Sequence, residues 1–432
     1  MSASLASTVP GPVAKGSPAA SRTRSWKAAI ILGIIALFSL VVFGLLTPAN
    51  TSTEFSFAAS TDFAQLPSLT LPATLAVVIF SVIGLALAGW TAYRAWQYRK
   101  VGIWLPIVYG MAIMGALLTW AGAGRGESTI QITGLLTSAL FLAVPLVFGA
   151  LAGTLCERSG IINIAIEGQL LAGAFLAALV ASMVGNAYVG LIAAPIAGGL
   201  VGLLLAIFST KYWVNQIVVG VVLNMLVIGL TSFFFSTVMT DNPNLNQSLG
   251  MPRIPIPLLS EIPILGPVLF RQSLLVYIMY AAVIFLQIML FRSRWGLRVR
   301  SVGEHPKAAD TVGIKVNLTR LRNVTLGGAV AGLGGAFFTV ASGLAFGREM
   351  TAGKGYIALA AMILGRWNPK GALAAALLFG FADALRVQLG IIGSDIPSQF
   401  LAMTPYLATI LAVAGLVGHA RPPAAEGKPY KK

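Results

Sequence analysis

The chain has 432 residues, of which 57% are hydrophobic and only 10% are charged, and its mean hydropathy is +0.86. A soluble domain carries roughly a quarter charged residues, and here the deficit extends along the whole chain, which excludes a soluble enzyme with one membrane anchor. The net charge of +16 does not indicate a nucleic-acid partner, because the basic residues lie mainly in short connections and at the termini, as the positive-inside rule requires.

The N-terminal part combines a polar tail with three apolar runs. Residues 1–25 are rich in Ser, Ala, Pro and Gly, which predicts a disordered cytoplasmic tail. Residues 26–128 are predicted to form an N-terminal extension with about three transmembrane helices, because each run is long enough to cross about 30 Å of hydrocarbon. The runs are residues 28–46, 72–92 and 103–121. The first is too long for the core of a signal peptide and is expected to be retained.

The rest of the chain, residues 129–420, is predicted to be an all-α, polytopic membrane helical bundle. Its spans are predicted at residues 130–152, 161–183, 189–209, 215–238, 273–291, 323–346, 371–390 and 399–418. A further apolar piece at 355–365 is shorter than the roughly 17 to 25 residues of an ordinary span, so it is expected to be re-entrant or tilted. The total is therefore 11 or 12 transmembrane segments, and a cytoplasmic C-terminal tail favours twelve.

Two connections indicate the orientation. Residues 239–272 are polar and proline-rich, and the alternation of spans places them outside. Residues 292–322 carry eight Lys or Arg residues against Glu304 and Asp310, so this connection is predicted to be cytoplasmic. The basic tail at 421–432 is placed on the same side. We therefore expect a multi-pass protein of the inner (plasma) membrane with both termini in the cytoplasm.

The 292–322 connection contains start and stop signals for one short helix. Pro306 suits the first helical turn, and Gly313 suits the position after the last turn. A helix of two turns is not stable alone, so its apolar side must be covered. That side consists of Ala308, Ala309 and Val312. Two interpretations remain open: the helix docks into a groove on a separate ATPase, or it packs against loops of its own chain.

Three stretches, in order, resemble a known family. Gly296–Leu321, GLRVRSVGEHPKAADTVGIKVNLTRL, resembles the cytoplasmic coupling loop of binding-protein-dependent ABC importer permeases. Residues 153–175, GTLCERSGIINIAIEGQLLAGAF, are similar to the E-R-x-G-x-x-N-I-x-x-E-G signature of the nucleoside branch of that family. Residues 353–386, GKGYIALAAMILGRWNPKGALAAALLFGFADALR, are similar to its G-x-G-[FWY]-I-A-L-A-A-x-I-x-G-x-W-x-P stretch. The extension before residue 130 is longer than expected for the family.

The resemblance implies a permease subunit of an ABC importer for nucleosides or related simple sugars. It implies as partners a separate ATPase subunit, a second permease that is a different chain, and an extracytoplasmic substrate-binding protein. No catalytic residue, metal or cofactor is expected on this chain, since ATP would bind the partner; the nearest P-loop candidate, Ala352–Gly355, lacks Ser or Thr after its Lys. The implied coupling residues are Gly303, Glu304, Pro306, Lys307, Ala308, Ala309, Asp310, Gly313 and Ile314.

Polar residues within the predicted spans are candidates for the solute pathway. Glu167 lies in an apolar stretch with Asn163 one helical turn before it, and a buried carboxylate costs roughly 2.5–3.5 kcal/mol unless it is paired, protonated or hydrated. Gly160 and Gly168 flank these two residues and could let the helix break. Asn224 lies deep in a later span. These side chains either line the solute pathway or tie neighbouring helices together.

Other residue pairs indicate packing. Asp383 and Arg386, three residues apart, are predicted to form a structural ion pair. Two small-residue motifs predict close helix contacts. They are Gly198-x-x-x-Gly202 and Gly328-x-x-x-Gly332. The turn at 366–370 is predicted to be a basic, aromatic anchor at the membrane interface, and Glu157 and Arg158 are also assigned to that interface.

Two other functions were considered for this sequence. An ion-coupled secondary transporter of similar small polar solutes could use Glu167 or the Asp383–Arg386 pair as its coupling site. The short helix in the basic connection favours the ABC permease over this alternative. A membrane-embedded enzyme acting on lipid-linked sugars is disfavoured, because no titratable residues converge in the sequence.

Overall fold

The structure, a computed structural model, describes residues 26–58, 65–99, 101–102, 104–125, 129–247, 249–393, 399–400, 403 and 421–431. The chain divides into two compact units. The first comprises Met1–Thr53 and Leu71–Gly124, and the second comprises Glu54–Thr70 and Arg125–Lys432. The tail predicted at residues 1–25 and nearly all of the span predicted at residues 399–418 lie outside the described residues.

Ten helices in the described part of the chain are long and apolar enough to cross a membrane, which confirms the predicted polytopic helical bundle. Their sequences are nearly uninterrupted apolar runs. In hydrocarbon no water is present to pair with the backbone, so such runs satisfy their N–H and C=O groups by forming helices. Three of the ten helices belong to the first unit and seven to the second.

The first unit contains the three N-terminal spans. They are α1 (Lys27–Phe38), which continues through a π-helical turn (Ser39–Phe43) into α2 (Gly44–Leu46), then α3 (Ala73–Trp96) and α4 (Trp104–Gly122). Short strands β1 (Ser52–Ser56) and β2 (Leu69–Pro72) lie between them in the sequence. The Tyr109 hydroxyl donates to the carbonyl oxygen of Leu32 at 2.6 Å, and the Ser39 and Ser81 hydroxyls are 2.9 Å apart. These polar contacts join the three spans.

The second unit is larger and begins at a short strand. Its elements are β3 (Ile130–Gln131), α5 (Ile132–Arg158), α6 (Ile166–Val184), α7 (Ala187–Thr210), α8 (Gln216–Phe234) with a π-helical turn (Phe235–Met239), β4 (Arg253–Pro255), α9 (Leu265–Leu269), β5 (Arg271–Ser273), α10 (Leu274–Arg292), α11 (Arg294–Glu304), α12 (Pro306–Thr311), α13 (Val316–Gly335) with a π-helical turn (Phe337–Ala341), α14 (Lys354–Leu364) and α15 (Pro369–Ile392). Strands β4 and β5 pair antiparallel, and Phe55 of β1 lies opposite Ile130 of β3 in a parallel pair.

Helix α5 lies at the centre of the second unit. It is buried along most of its length, and Val147, Phe148 and Leu151 are fully buried. Helices α13, α14 and α15 all pack against it. The core of this unit therefore surrounds α5, and α6 and α7 complete it through their contacts with α13.

The two predicted glycine motifs meet each other, which confirms their role in packing. A Cβ atom at Gly198 of α7 would collide with the carbonyl oxygen of Gly328 of α13. A Cβ at Gly202 would lie 2.7 Å from the carbonyl oxygen of Val324, and one at Gly332 would collide with that of Ala194. Only residues without a side chain allow two backbones to approach this closely.

We expect Gly198→Leu to destabilise the protein by at least about 1–3 kcal/mol, because the new side chain must push α7 away from α13. The measurement is the melting temperature of the purified protein in detergent. Gly229→Ala is the matched control, since a Cβ at Gly229 meets nothing within 4 Å. Equal melting temperatures for the two variants would contradict the close contact.

Four predicted boundaries differ from the structure by five residues or more. Helix α5 ends at Arg158 rather than near residue 152, and α6 begins at Ile166 rather than 161. Helix α13 begins at Val316 rather than 323, and its π-helical turn ends at Ala341 rather than 346. The prediction ended the basic connection after its last arginine. Arg320 is nevertheless fully buried within α13, where its guanidinium donates to backbone carbonyl oxygens instead of water.

Candidate functional site

Residues 159–165 form a non-helical break between α5 and α6. Gly160 has φ +92°, a value that is readily adopted only without a Cβ atom. The prediction that a glycine breaks the helix is therefore confirmed at Gly160, whereas Gly168 lies inside α6. The predicted helical alignment of Asn163 with Glu167 is wrong, because Asn163 belongs to the break and Glu167 to the first turn of α6.

Asn163 is fully buried, and its side chain is hydrogen-bonded to residues close to it in the sequence. Its Nδ2 donates to Oε1 of Gln169 at 3.0 Å, and its Oδ1 accepts from Nε2 of Gln169 at 3.2 Å. The same Nδ2 lies 3.4 Å from Sγ of Cys156 at the end of α5. Asn163 thus fixes the shape of the break, and its polar atoms are directed at protein groups.

Asn224 connects α8 to both sides of the break. Its Oδ1 accepts from the N–H of Gly168 at 2.8 Å, so it satisfies one of the free donors in the first turn of α6. Its Nδ2 donates to the carbonyl oxygen of Ile164 at 2.9 Å and to the hydroxyl of Tyr356 at 3.3 Å. The Tyr356 side chain is half exposed, whereas Asn224 is buried.

Glu167 connects α6 to the start of α14. Its Oε1 accepts from the Thr351 hydroxyl at 2.6 Å and from the N–H of Gly353 at 2.8 Å, and its Oε2 accepts from the N–H of Gly355 at 2.6 Å. The carboxylate therefore occupies the N-terminus of α14, where free N–H groups and the helix dipole favour negative charge. Three donors compensate the cost of burying this side chain, which is only 6% exposed.

Asp383 of α15 holds two basic groups. Lys354 Nζ bonds Asp383 Oδ2, and Arg386 Nε lies 3.6 Å from Asp383 Oδ1. The predicted Asp383–Arg386 pair is thus present, but Lys354 is the closer partner and was not predicted. The sequence signal for this partner was one basic residue, Lys354, immediately before the predicted apolar piece at 355–365. The lysine lies on α14 and the aspartate on α15, so the ion pair links these two helices.

Helix α14 is the predicted short apolar piece. Its 11 residues measure about 16 Å, roughly half the hydrocarbon thickness. Residues 342–353 before it are not helical, and several have positive φ. They are Gly343, Glu349, Ala352 and Gly353. Helices interrupted in this way, with their N-termini inside the membrane, are typical of solute sites in transporters.

The predicted membrane-interface residues belong to one group of contacts at the end of α5. Trp367 is 5% exposed and its Nε1 donates to Glu157. Arg158 donates to the carbonyl oxygens of Trp367 at 2.9 Å and Arg366 at 3.4 Å. These contacts join the end of α5 to the turn between α14 and α15. Glu157 and Trp367 are thus buried among protein groups, whereas Arg366 is exposed, and their place at the membrane interface stays a prediction.

A second candidate site is an open groove of about 830 Å³ formed by α11, α12 and the start of α13. Both apolar and basic side chains line it. The apolar ones include Leu297, Ala308, Val312 and Leu318, and the basic ones include Arg294, Arg298, Lys315 and Arg322. Val312 is 74% exposed, so this apolar surface is not covered by the described part of the chain.

The predicted coupling residues divide into two sets. Glu304, Lys307, Ala308 and Gly313 are exposed, whereas Pro306, Asp310 and Ile314 are half-buried. Gly303 and Ala309 are buried, so they are not available at the surface, and the role of all nine residues in coupling stays a prediction. A Cβ at Gly303 would collide with the carbonyl oxygen of Arg158, and Ala309 packs against Val302. The predicted helix is confirmed as α12, and Gly313 has the expected positive φ of +84°.

Comparison with known proteins places the chain among transport permeases. Residues 135–418 match the family model described as "Branched-chain amino acid transport system / permease component". The chain is 39% identical to guanosine ABC transporter permease protein NupQ of Bacillus subtilis over 70% of this chain and 98% of that protein. It is 38% identical to nucleoside ABC transporter permease protein NupC of Lactococcus lactis over 71% of this chain and 98% of that protein.

The name of a more distant relative specifies a different solute. The chain is 32% identical to putative glucose ABC transporter permease protein TsgC13 of Haloferax volcanii over 59% of this chain and 77% of that protein. No solved structure matches the chain.

Proposed function

Since the chain belongs to the branched-chain amino acid transport system permease component family, we propose that it is the transmembrane permease subunit of an ABC importer that moves nucleosides, or related simple sugars, across the inner membrane. The permease core lies in residues 129–420, and the first three spans are an addition to it. Two relatives that are matched over 98% of their own length support the choice of solute, since their names specify guanosine and nucleosides.

The groove between α11, α12 and α13 is the observation that carries this proposal. Helix α12 has only six residues and is too short to be stable alone. One side of it, at Ala309, packs on its own chain, while Ala308 and Val312 stay exposed. An exposed surface that combines apolar and basic side chains is suited to docking a protein. The partner is a cytoplasmic ATPase subunit, which hydrolyses ATP while this chain is not itself an enzyme.

The orientation follows from charge. The α11–α13 connection carries the densest group of basic residues, and translocating such a loop is unfavourable. It therefore faces the cytoplasm, and the C-terminal segment, which contacts it, lies on the same side. The proline-rich connection before α10 then faces outward, where an extracytoplasmic binding protein delivers the solute. A second permease chain completes the pathway.

The α5–α6 break and the non-helical residues 342–353 before α14 border this pathway. Asn163 fixes the shape of the break, while Glu167 and Asn224 join α6 and the break to the start of α14, so the three residues set the position of both segments. Tyr356 lies at this junction with its ring half exposed. An exposed aromatic ring beside a hydrogen-bonding network suits a nucleoside, which has a flat base and a polar sugar. The break and α14 move together when access alternates.

Uptake into proteoliposomes tests the proposal. The chain is purified with its ATPase, second permease and binding protein, and the accumulation of labelled guanosine is followed with ATP on the ATPase side. We expect uptake to require ATP and to persist when ionophores collapse the H⁺ and Na⁺ gradients. Uptake that stops on gradient collapse while ATP remains would contradict the proposal. It would favour a secondary transporter that uses the membrane-embedded Lys354–Asp383 pair.

A further inference from the structure

The C-terminal segment, residues 421–431, is irregular in conformation but partly buried. We call these residues the C-terminal strap. Chain ends usually fray unless other parts of the protein hold them. Here Ala425 and Tyr430 are only 5% and 8% exposed, although the strap is rich in lysine and proline. The strap is therefore held in place, and the groups that hold it indicate what it connects.

One side of the strap is bonded to the end of α11, immediately before the proposed coupling helix α12. The N–H of Ala425 donates to the carbonyl oxygen of Gly303 at 2.9 Å, and the N–H of Ala424 donates to Oε2 of Glu304 at 3.2 Å. The Tyr430 ring belongs to a small apolar cluster. Its other buried members are Val302, Ala309 and Val316. The buried face of α12 thus rests partly on the strap.

The other side of the strap is bonded to the break between α5 and α6. The N–H of Gly427 donates to the carbonyl oxygen of Gly160 at 3.3 Å. Arg320 of α13 completes the connection, because its Nη1 donates to the carbonyl oxygen of Lys428 at 2.9 Å and its Nε to that of Ser159 at 3.2 Å. A fully buried guanidinium that bonds both segments fixes their separation.

A carboxyl pair adds to this connection. The Glu426 carboxyl lies beside that of Glu157, at the end of α5. Burial raises the pKa of Glu426 above its ordinary value. The strap therefore meets the end of α5 through a side chain as well as through its backbone.

We infer that the C-terminal strap is a coupling element that carries displacement of α12 to the α5–α6 break, with Arg320 as its positioning residue. This inference rests on the proposed function, in which an ATPase moves α12. The strap is hydrogen-bonded to the break and to the end of α11, next to α12, and Tyr430 shares an apolar cluster with Ala309 of α12, so the strap follows movement of either element. Since α6, which follows the break, is joined to α14 through Glu167, the path continues into the membrane. The chain of contacts is continuous from the groove to the interrupted helices.

Removing a single hydrogen bond tests the inference with a matched control. Ala425→Pro deletes the N–H that donates to Gly303, whereas Ala425→Ser keeps it. Each variant is reconstituted in the complete transporter, and guanosine uptake is divided by ATP hydrolysed. For Ala425→Pro we expect this ratio to fall at least about fivefold, the range of typical coupling free energies, with ATPase association retained. Ala425→Ser should match the wild-type protein.

Tyr430→Ala gives an independent test at the other contact of the strap, in case the proline variant fails to fold. It should lower the same ratio, and hydrogen exchange should show reduced protection of residues 159–165. An unchanged ratio in both variants, while the wild-type complex transports guanosine, would overturn the inference. Loss of ATPase association would also overturn it, because the strap would then be a docking element. Absence of ATP-driven uptake in the wild-type complex would instead contradict the proposed function.

Discussion

Replacing Glu167 by alanine should abolish solute uptake and lower the free energy of unfolding by about 3 kcal/mol or more. The substitution leaves the Thr351 hydroxyl and the N–H groups of Gly353 and Gly355 without their acceptor. Each buried donor without a partner costs about 1–3 kcal/mol. It also separates α6 from α14, the two helices that border the proposed pathway. Thermal unfolding in detergent and uptake in proteoliposomes measure the two effects.

Two further variants separate the charge of Glu167 from its geometry. Glu167→Gln keeps one acceptor oxygen but turns an NH₂ group toward a donor, so a smaller loss of stability is expected. Glu349→Gln makes the same charge change on the exposed surface of the connection before α14 and should be neutral. If Glu167→Ala unfolded at the wild-type temperature and transported normally, the proposed role of this carboxylate would be wrong.

Introducing a charge or bulk into the groove should remove ATPase binding without affecting the fold. Val312→Lys places an ammonium group among the basic side chains of the groove, at a site that is 74% exposed in the free chain but would be covered in the complex. Burying a charge beside others of the same sign costs several kcal/mol, so affinity should fall by at least about tenfold, and ATP-driven uptake with it. Co-purification with the ATPase subunit measures the effect.

Ala308→Trp tests the same surface by size, since Ala308 is exposed on α12 and lines the groove. The matched control is Asn317→Trp, which adds the same bulk to an exposed position of α13 that does not line the groove. Both proteins should have the wild-type melting temperature. Normal co-purification of Ala308→Trp with the ATPase would contradict the proposal that the groove binds the ATPase subunit.

The sequence predicted the helices of the bundle well, because an apolar run in hydrocarbon has few alternatives to a helix. It also predicted the α7–α13 contact, since glycines four residues apart on two spans permit close approach. Helix α12 was predicted from Pro306 and Gly313, whose backbone preferences are local. These features depend on neighbouring residues or on one repeated pattern, and both are visible in the sequence.

The remaining features depend on partners that are distant in sequence. The Glu167 carboxylate accepts a hydrogen bond from the Thr351 hydroxyl, which is 184 residues away in the sequence. Its donors could therefore not be identified from the residues next to Glu167. Arg320 was assigned to a loop as one of the eight basic residues of 292–322, yet it is buried in α13, where its Nε and Nη1 donate to distant backbone carbonyl oxygens. The C-terminal strap was predicted only as a basic tail. Most of its hydrogen bonds use backbone groups, which every sequence possesses, so side-chain patterns did not indicate them.

The most direct test of the central claim is the accessibility of one cysteine in the groove. Val312→Cys is introduced with Cys156→Ala, and a membrane-impermeant maleimide is applied to intact cells and to inside-out vesicles. We predict labelling only in inside-out vesicles, and protection when the ATPase subunit is bound. Labelling in intact cells, or equal labelling with and without the ATPase, would contradict a cytoplasmic groove occupied by an ATPase.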